Sequence, residues 1–250
     1  MYTKTLLSFA LVSLAIANPI QKRKTGTTEN EFSQGGCRDV LFAWARGSTE
    51  AGNMGNIVGP PTSDAIKAEF GETNVATEGI DYAAALLPNA LPGGTDAKSK
   101  KLMQDTLNAM ATQCPDSVIV AGGYSQGAAV NHRAIEELPA QTQDRIAGVI
   151  LYGDTQNQQD NAQISGFPPE KTMIICADGD AVCDGTLTIL PPHLSYGANA
   201  DEGAAFLNQQ IAQAMAAAKL RKAKREADEV AKRAQDSMKK MVKRTVEFVV

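Results

Sequence analysis

The sequence predicts an α/β fold, a five-stranded parallel sheet flanked by helices on both faces. Three observations predict it. About five short β-like runs alternate with helical segments. Two of them, Val40 to Ala45 and Ile146 to Tyr152, are apolar throughout, as in strands covered on both sides. At the centre, an apolar run, Gly123-Tyr124-Ser125-Gln126-Gly127 and a helical segment follow one another. Strand, G-x-S-x-G, helix is the context of a nucleophile elbow.

Taken in order, the N-terminus is not part of the sheet. Lys4, the apolar Leu6 to Ile16 and Ala15-Ile16-Ala17 read as a signal peptide over residues 1–17. The apolar run is too short to span a bilayer, and proline and charges follow it. A secreted, extracellular protein with no transmembrane anchor is expected. Residues 18–36 read as a pro-segment and flexible lead-in. Lys22-Arg23-Lys24 is a processing site or a solvated basic linker, and polar, Gly-rich Thr25 to Gly36 is expected to be mobile.

Val40 to Ala45 is the first strand, broken by Arg46-Gly47-Ser48-Thr49-Glu50 and a Gly-rich loop. Ser63 to Phe70 reads as a helix capped by Ser63 or Thr62. Asn74 to Ile80 is a second strand, and Ala83 to Gly94 an apolar loop. Thr95 to Cys114 is helical by its apolar spacing. The elbow strand and helix follow, then the strand Ile146 to Tyr152, a polar loop to Gly166, the strand Thr172 to Ala177 and a helix from Ala200 to Ala218.

Composition bounds the rest. With 250 residues, 43% hydrophobic and 21% charged, the chain is long enough for one domain with a full core. Net charge is −4, but residues 219–250 carry eleven Lys/Arg against five Asp/Glu. The remainder therefore carries −10, which argues against nucleic-acid binding by the main domain. No P-loop and no G-x-G-x-x-G follows a strand, so a phosphate or nucleotide function is not expected. No cofactor and no metal are expected. The four cysteines are Cys37, Cys114, Cys176 and Cys183, and two disulfides suit a secreted chain. Three pairings are open. Cys176 and Cys183 flank a short turn-rich loop, which favours that pair and leaves Cys37 with Cys114. Neither pair is C-x-x-C and the histidines are too few for a zinc site.

A nucleophilic serine needs a base to take its proton. The chain has two histidines. His132 lies about two turns down the same helix as Ser125, ~10 Å away, and is read as a partly buried or surface residue. His193 is then the base. A carboxylate must orient the imidazole. Asp154, Asp178 and Asp180 all follow strands, and Asp178 and Asp180 lie inside the Cys176–Cys183 loop. Ser125, Asp180, His193 is the chain order of the α/β-hydrolase fold. An oxyanion hole needs two donors. The Gln126 N–H is one, and Ser48 after the first strand is the candidate for the other.

The motifs Trp44 to Glu50, Gly122 to Gly127, Cys176 to Cys183 and Pro192 to Gly197 together resemble the fungal cutinases, over roughly Cys37 to Gln213. The resemblance implies a lidless serine esterase domain over 37–213, with Ser125 as nucleophile, Asp180 as acid, His193 as base, and Ser48 with Gln126 as oxyanion hole. It implies support of Ser48 by Asn89, and the same two disulfides. It also implies acyl binding between two apolar loops, Leu86, Leu87 and Leu91 on one side and Leu187, Ile189 and Leu190 on the other, with Tyr124 beside the nucleophile. The expected substrates are the insoluble polyester cutin and small short- to medium-chain esters, acted on by a monomer. An acetylxylan-type esterase on the same fold, or a non-catalytic secreted surface protein, are the alternatives. The small disulfide is expected to hold the Asp180 loop.

Residues 214–250 depart from the family pattern. They read as a basic helical or disordered extension, with a surface-adsorbing amphipathic helix or a reading frame extended past its true stop as the alternatives.

Overall fold

The computed structural model describes residues 25–249, with side chains through residue 240. The expected signal peptide and Lys22-Arg23-Lys24 lie outside the described residues. Helix α1 (Glu31–Gly35) leads into strand β1 (Val40–Ala45), helix α2 (Gly59–Phe70) and strand β2 (Val75–Gly79). Helix α3 (Ala97–Gln113), strand β3 (Val118–Tyr124), helix α4 (Gln126–Glu136) and the short helix α5 (Ala140–Gln143) follow. Strands β4 (Ile146–Tyr152) and β5 (Thr172–Ile175) and the long helix α6 (Ala200–Val249) complete the order.

The five strands form one parallel sheet in the order β2-β1-β3-β4-β5. The unbroken hydrophobicity of β1 and β4 has a simple cause. Leu41, Ala43 and Ala45 of β1 point into a core shared with Met103, Leu107 and Met110 of α3 and Ala128 to Ile135 of α4. Val40, Phe42 and Trp44 point into a second core, with Ile66 of α2 and Ala204, Leu207 and Ile211 of α6. Alternate side chains thus meet different helix layers, and neither face of the strand meets water.

The strand order reverses between β1 and β3. Chain leaving β1 goes to one side of the sheet and chain leaving β3 to the other, so a crevice opens at their carboxyl ends. Ala45 and Gly123 are register partners at that end. The loops carrying Ser48 and Ser125 therefore emerge side by side.

Three local expectations are corrected. Helix α2 starts at Gly59, not at Thr62 or Ser63, because prolines occupy its first turn, where a missing N–H costs nothing. The Thr62 and Ser63 hydroxyls instead bond inward, to the Tyr152 hydroxyl at 3.0 Å and Thr77 Oγ1 at 2.7 Å. Residues 25–36 are packed onto the body instead of lying free. Thr25 N–H donates to Asp64 Oδ1 at 2.7 Å, the Asn53 and Met54 amides donate to Thr27 O, and Asn30 bridges to Glu78. Finally, α6 does not stop at Ala218. It continues unbroken through the basic extension to Val249.

Candidate active site

Ser125 stands between β3 and α4 with φ +54° and ψ −118°, a left-handed conformation that costs energy in any residue with a Cβ. The neighbours explain how the turn is tolerated. A Cβ on Gly123 would strike the Gly127 carbonyl, and one on Gly127 would strike the Ala45 carbonyl. Only glycine at both positions lets the helix start this close to β1 and β3. Ser125 N–H is fixed to Tyr152 O at 2.9 Å. The hydroxyl is thereby aimed at the loop carrying His193.

Ser125 Oγ lies 2.9 Å from His193 Nε2. His193 Nδ1 lies 2.8 Å from Asp180 Oδ2. Asp180 and His193 are buried, and Ser125 is 8% exposed where the pocket opens. Asp180 is held in turn. Its Oδ1 accepts the Val182 N–H at 3.0 Å, and its Oδ2 accepts the Tyr196 hydroxyl at 2.6 Å. Burial, reinforced by this bond to Asp180, pushes the Tyr196 phenol well above its ordinary pKa, so it remains a donor. The Tyr124 hydroxyl donates to His193 O at 2.7 Å and fixes the histidine backbone. Asp178, by contrast, is exposed. Tyr196 lies in the Pro192–Gly197 motif, but sequence reasoning misses its role. Its spacing gives no sign that its hydroxyl returns to the carboxylate.

The two residues expected to supply oxyanion donors lie near the serine: Gln126 follows it in the chain, and Ser48 lines the same cavity. Gln126 N–H is the first of α4, and neither it nor the Ser48 N–H has an acceptor among the described residues. Ser48 Oγ accepts from Asn89 Nδ2 at 2.8 Å, which leaves its own proton to donate. Glu50 braces this loop. Its carboxylate accepts from the Gly47, Asn56 and Ile57 amides at 2.7, 2.9 and 3.0 Å. Arg46 closes the brace, donating to Glu50 O at 2.9 Å and to Tyr82 O at 2.8 Å.

A cavity of about 510 Å³ opens over Ser125 and His193. Of the residues named from the sequence for acyl binding, Leu86, Leu187, Ile189 and Tyr124 line it. Leu87, Leu91 and Leu190 do not. They stand outside the lining, exposed at 80%, 45% and 39%. Ile57, Thr155, Val182 and Leu194 take their place in the wall. They come from four separate stretches of the chain, and periodicity could not bring them together.

His132 is also corrected. It is fully buried, not partly exposed, because the loop after β4 covers α4. Its Nε2 faces Asp154 Oδ2 at 2.8 Å and its Nδ1 faces Asp160 Oδ2 at 3.1 Å. Asp154, a candidate acid in the sequence, is thus the partner of the other histidine. His132, Glu136 and Asp160 are close enough to share a cation. The Arg133 guanidinium already pairs with both carboxylates of that group. Disulfides join Cys37 to Cys114 and Cys176 to Cys183, and the second spans the Asp180 loop. No helix among the described residues is long and apolar enough to cross a membrane.

Comparison with known proteins gives a consistent picture. A family profile described as Cutinase matches residues 36–211. A cutinase of Pyricularia oryzae is 44% identical over 212 residues, covering 84% of this chain and 99% of that one. Cutinase 3 of Emericella nidulans is 45% identical, covering 83% and 97%. Among solved structures, Trichoderma reesei cutinase with a phosphonate inhibitor matches with TM-score 0.67 and 34% identity, covering 75% and 81%. The catalytic core of acetyl xylan esterase from Trichoderma reesei shares the fold, with TM-score 0.53 and 18% identity over 70% of this chain and 99% of that one.

Proposed function

On the premise that the chain belongs to the cutinase family and is a carboxylic ester hydrolase, we propose that it is a secreted serine esterase that cleaves cutin and short- to medium-chain esters through an acyl-enzyme on Ser125. The single observation that carries this reading is the hydrogen-bonded line from Ser125 Oγ through His193 to Asp180 at 2.9 and 2.8 Å, opening into an apolar cavity.

His193 Nε2 takes the Ser125 proton as Oγ adds to the ester carbonyl. The charge that develops on the carbonyl oxygen is met by the Ser48 and Gln126 donors, which have no other acceptor among the described residues to leave. The imidazolium, stabilised by Asp180, protonates the departing alkoxide and frees the alcohol. Water, deprotonated by the same nitrogen, then cleaves the acyl-enzyme and releases the carboxylic acid and the serine. The wall of Leu86, Leu187 and Ile189 suits an aliphatic acyl chain. Leu87 and Leu190, exposed nearby, suit an enzyme that works against a solid apolar surface.

A fluorophosphonate probe tests the mechanism. One adduct per chain, located by peptide mapping on Ser125, is expected. A panel from acetate to octanoate esters, with acetylxylan beside it, should show the fastest turnover on the butyrate to octanoate members. No labelling would point to a non-catalytic protein, and a preference for acetylxylan to the alternative esterase.

The small disulfide gives a further expectation. Removing Cys176 and Cys183 together frees the loop that carries Asp180, at a stability cost of about 2–3 kcal/mol on the chain-entropy account. Esterase activity should fall at least tenfold, while near-UV circular dichroism at 25 °C stays native. Unchanged activity would mean the loop is positioned without the bridge.

A further inference from the structure

Helix α6 has two halves of different character. Its first turns bury Ala200, Ala204, Leu207 and Ile211 against the sheet and α2. From Ala218 to residue 240 every side chain is exposed. The packed half supplies the costly nucleus, so the Ala-, Lys- and Arg-rich remainder only has to propagate it. Residues 219–249 thus project ~45 Å as helix.

That projecting helix is amphipathic and, among the described residues, unpartnered. Leu220, Ala223, Ala227, Val230, Ala234 and Met238 recur at three- and four-residue steps on one stripe. Leu220, Val230 and Met238 are 72%, 65% and 58% exposed. The remaining faces of residues 219–240 carry nine Lys/Arg and four Asp/Glu. The body, residues 25–218, has nine Lys/Arg against twenty-three Asp/Glu, a net −14. The two parts have opposite electrostatic preferences.

The chemistry of the reaction identifies what the helix meets. Every ester cleaved in an insoluble polyester leaves a carboxylate, and near neutral pH the surface becomes anionic as it is digested. A body of −14 is repelled from such a surface. We propose that the α6 extension holds the enzyme on partly hydrolysed polyester, its apolar stripe against the aliphatic chains and its Lys and Arg side chains on the exposed carboxylates. This rests on the polyester-hydrolase reading above. A second copy of the chain is the competing occupant of the stripe.

The test uses full-length protein carrying Ser125→Ala, so that the film does not change during the measurement. Binding to a polyester film pre-hydrolysed with alkali is compared with binding to the same film after its carboxylates are capped as methyl esters. The variant converts Arg221, Lys222, Lys224 and Arg225 to glutamine, which keeps helix propensity. At 20 mM salt, the unmodified helix should bind the hydrolysed film about tenfold more tightly than the variant. The difference should vanish at 500 mM salt and on the capped film. Equal binding by both helices overturns the proposal. So does a helix-dependent dimer in sedimentation whose formation accounts for the binding. With Ser125 intact, both helices should hydrolyse soluble butyrate ester equally. Absent hydrolysis would instead sink the esterase reading and leave the adsorption result standing.

Discussion

Replacing Ser125 with alanine should lower kcat on p-nitrophenyl butyrate by about 10⁴–10⁶-fold. The Ser125 hydroxyl is bonded to His193 Nε2, and among the described residues no other side chain bonds to that nitrogen. KM should change little, because the cavity wall is built by other side chains. The fold should survive. The Ser125→Ala variant keeps the backbone amide bonded to Tyr152 O, and the strained φ of +54° is unchanged by loss of one oxygen. The residual rate over water would come from the Ser48 and Gln126 donors and from binding. Activity within tenfold of the parent, in protein of native circular dichroism, would show that ester cleavage does not pass through this serine.

Asp180→Asn should cost about 10⁴-fold in kcat, for a reason the hydrogen bonds make explicit. Asp180 Oδ2 accepts from both His193 Nδ1–H and the Tyr196 hydroxyl, while Oδ1 accepts the Val182 amide. An asparagine has one acceptor oxygen. If that oxygen stays toward His193, its NH₂ confronts the Val182 N–H and the loop must shift. If the amide flips, its NH₂ faces Nδ1, which must then accept. The imidazole proton moves to Nε2, and the ring no longer takes the serine proton. The diagnostic is the Nδ1–H proton resonance, expected far downfield in the parent and absent in the variant. Retained turnover together with a lost resonance would show that Asp180 is structural only.

Much of this architecture is legible in the chain. The runs at 40–45 and 146–152 announce buried parallel strands because both faces are covered, so no polar residue alternates with the apolar ones. The elbow is legible because its backbone demands glycine at 123 and 127. The choice of His193 needed only the scarcity of histidine, and the strand order placed its partner at a carboxyl end.

What stayed hidden is hidden for a common reason. The Tyr196 hydroxyl on Asp180, the Glu50 bond to Gly47 under the Ser48 loop and the His132–Asp154 pair join residues 16, three and 22 positions apart through side-chain directions that no periodicity encodes. The cavity wall drew Ile57, Val182 and Leu194 from three segments, and left out Leu87, Leu91 and Leu190, which the resemblance had implied. Thr25 to Gly36 looked free because it is polar and Gly-rich, yet its backbone donors and acceptors found partners across the chain.

By itself the sequence determined the strand-turn-helix order, the strained serine turn and which of the two histidines lies beside that serine, since these follow from local sterics and from which residue types are present. The tertiary structure alone decided that Asp154 meets His132, which leucines line the cavity and how far the last helix runs. Those depend on where distant loops converge in space, and burial and hydrogen-bond geometry settle that only once the sheet has brought them together.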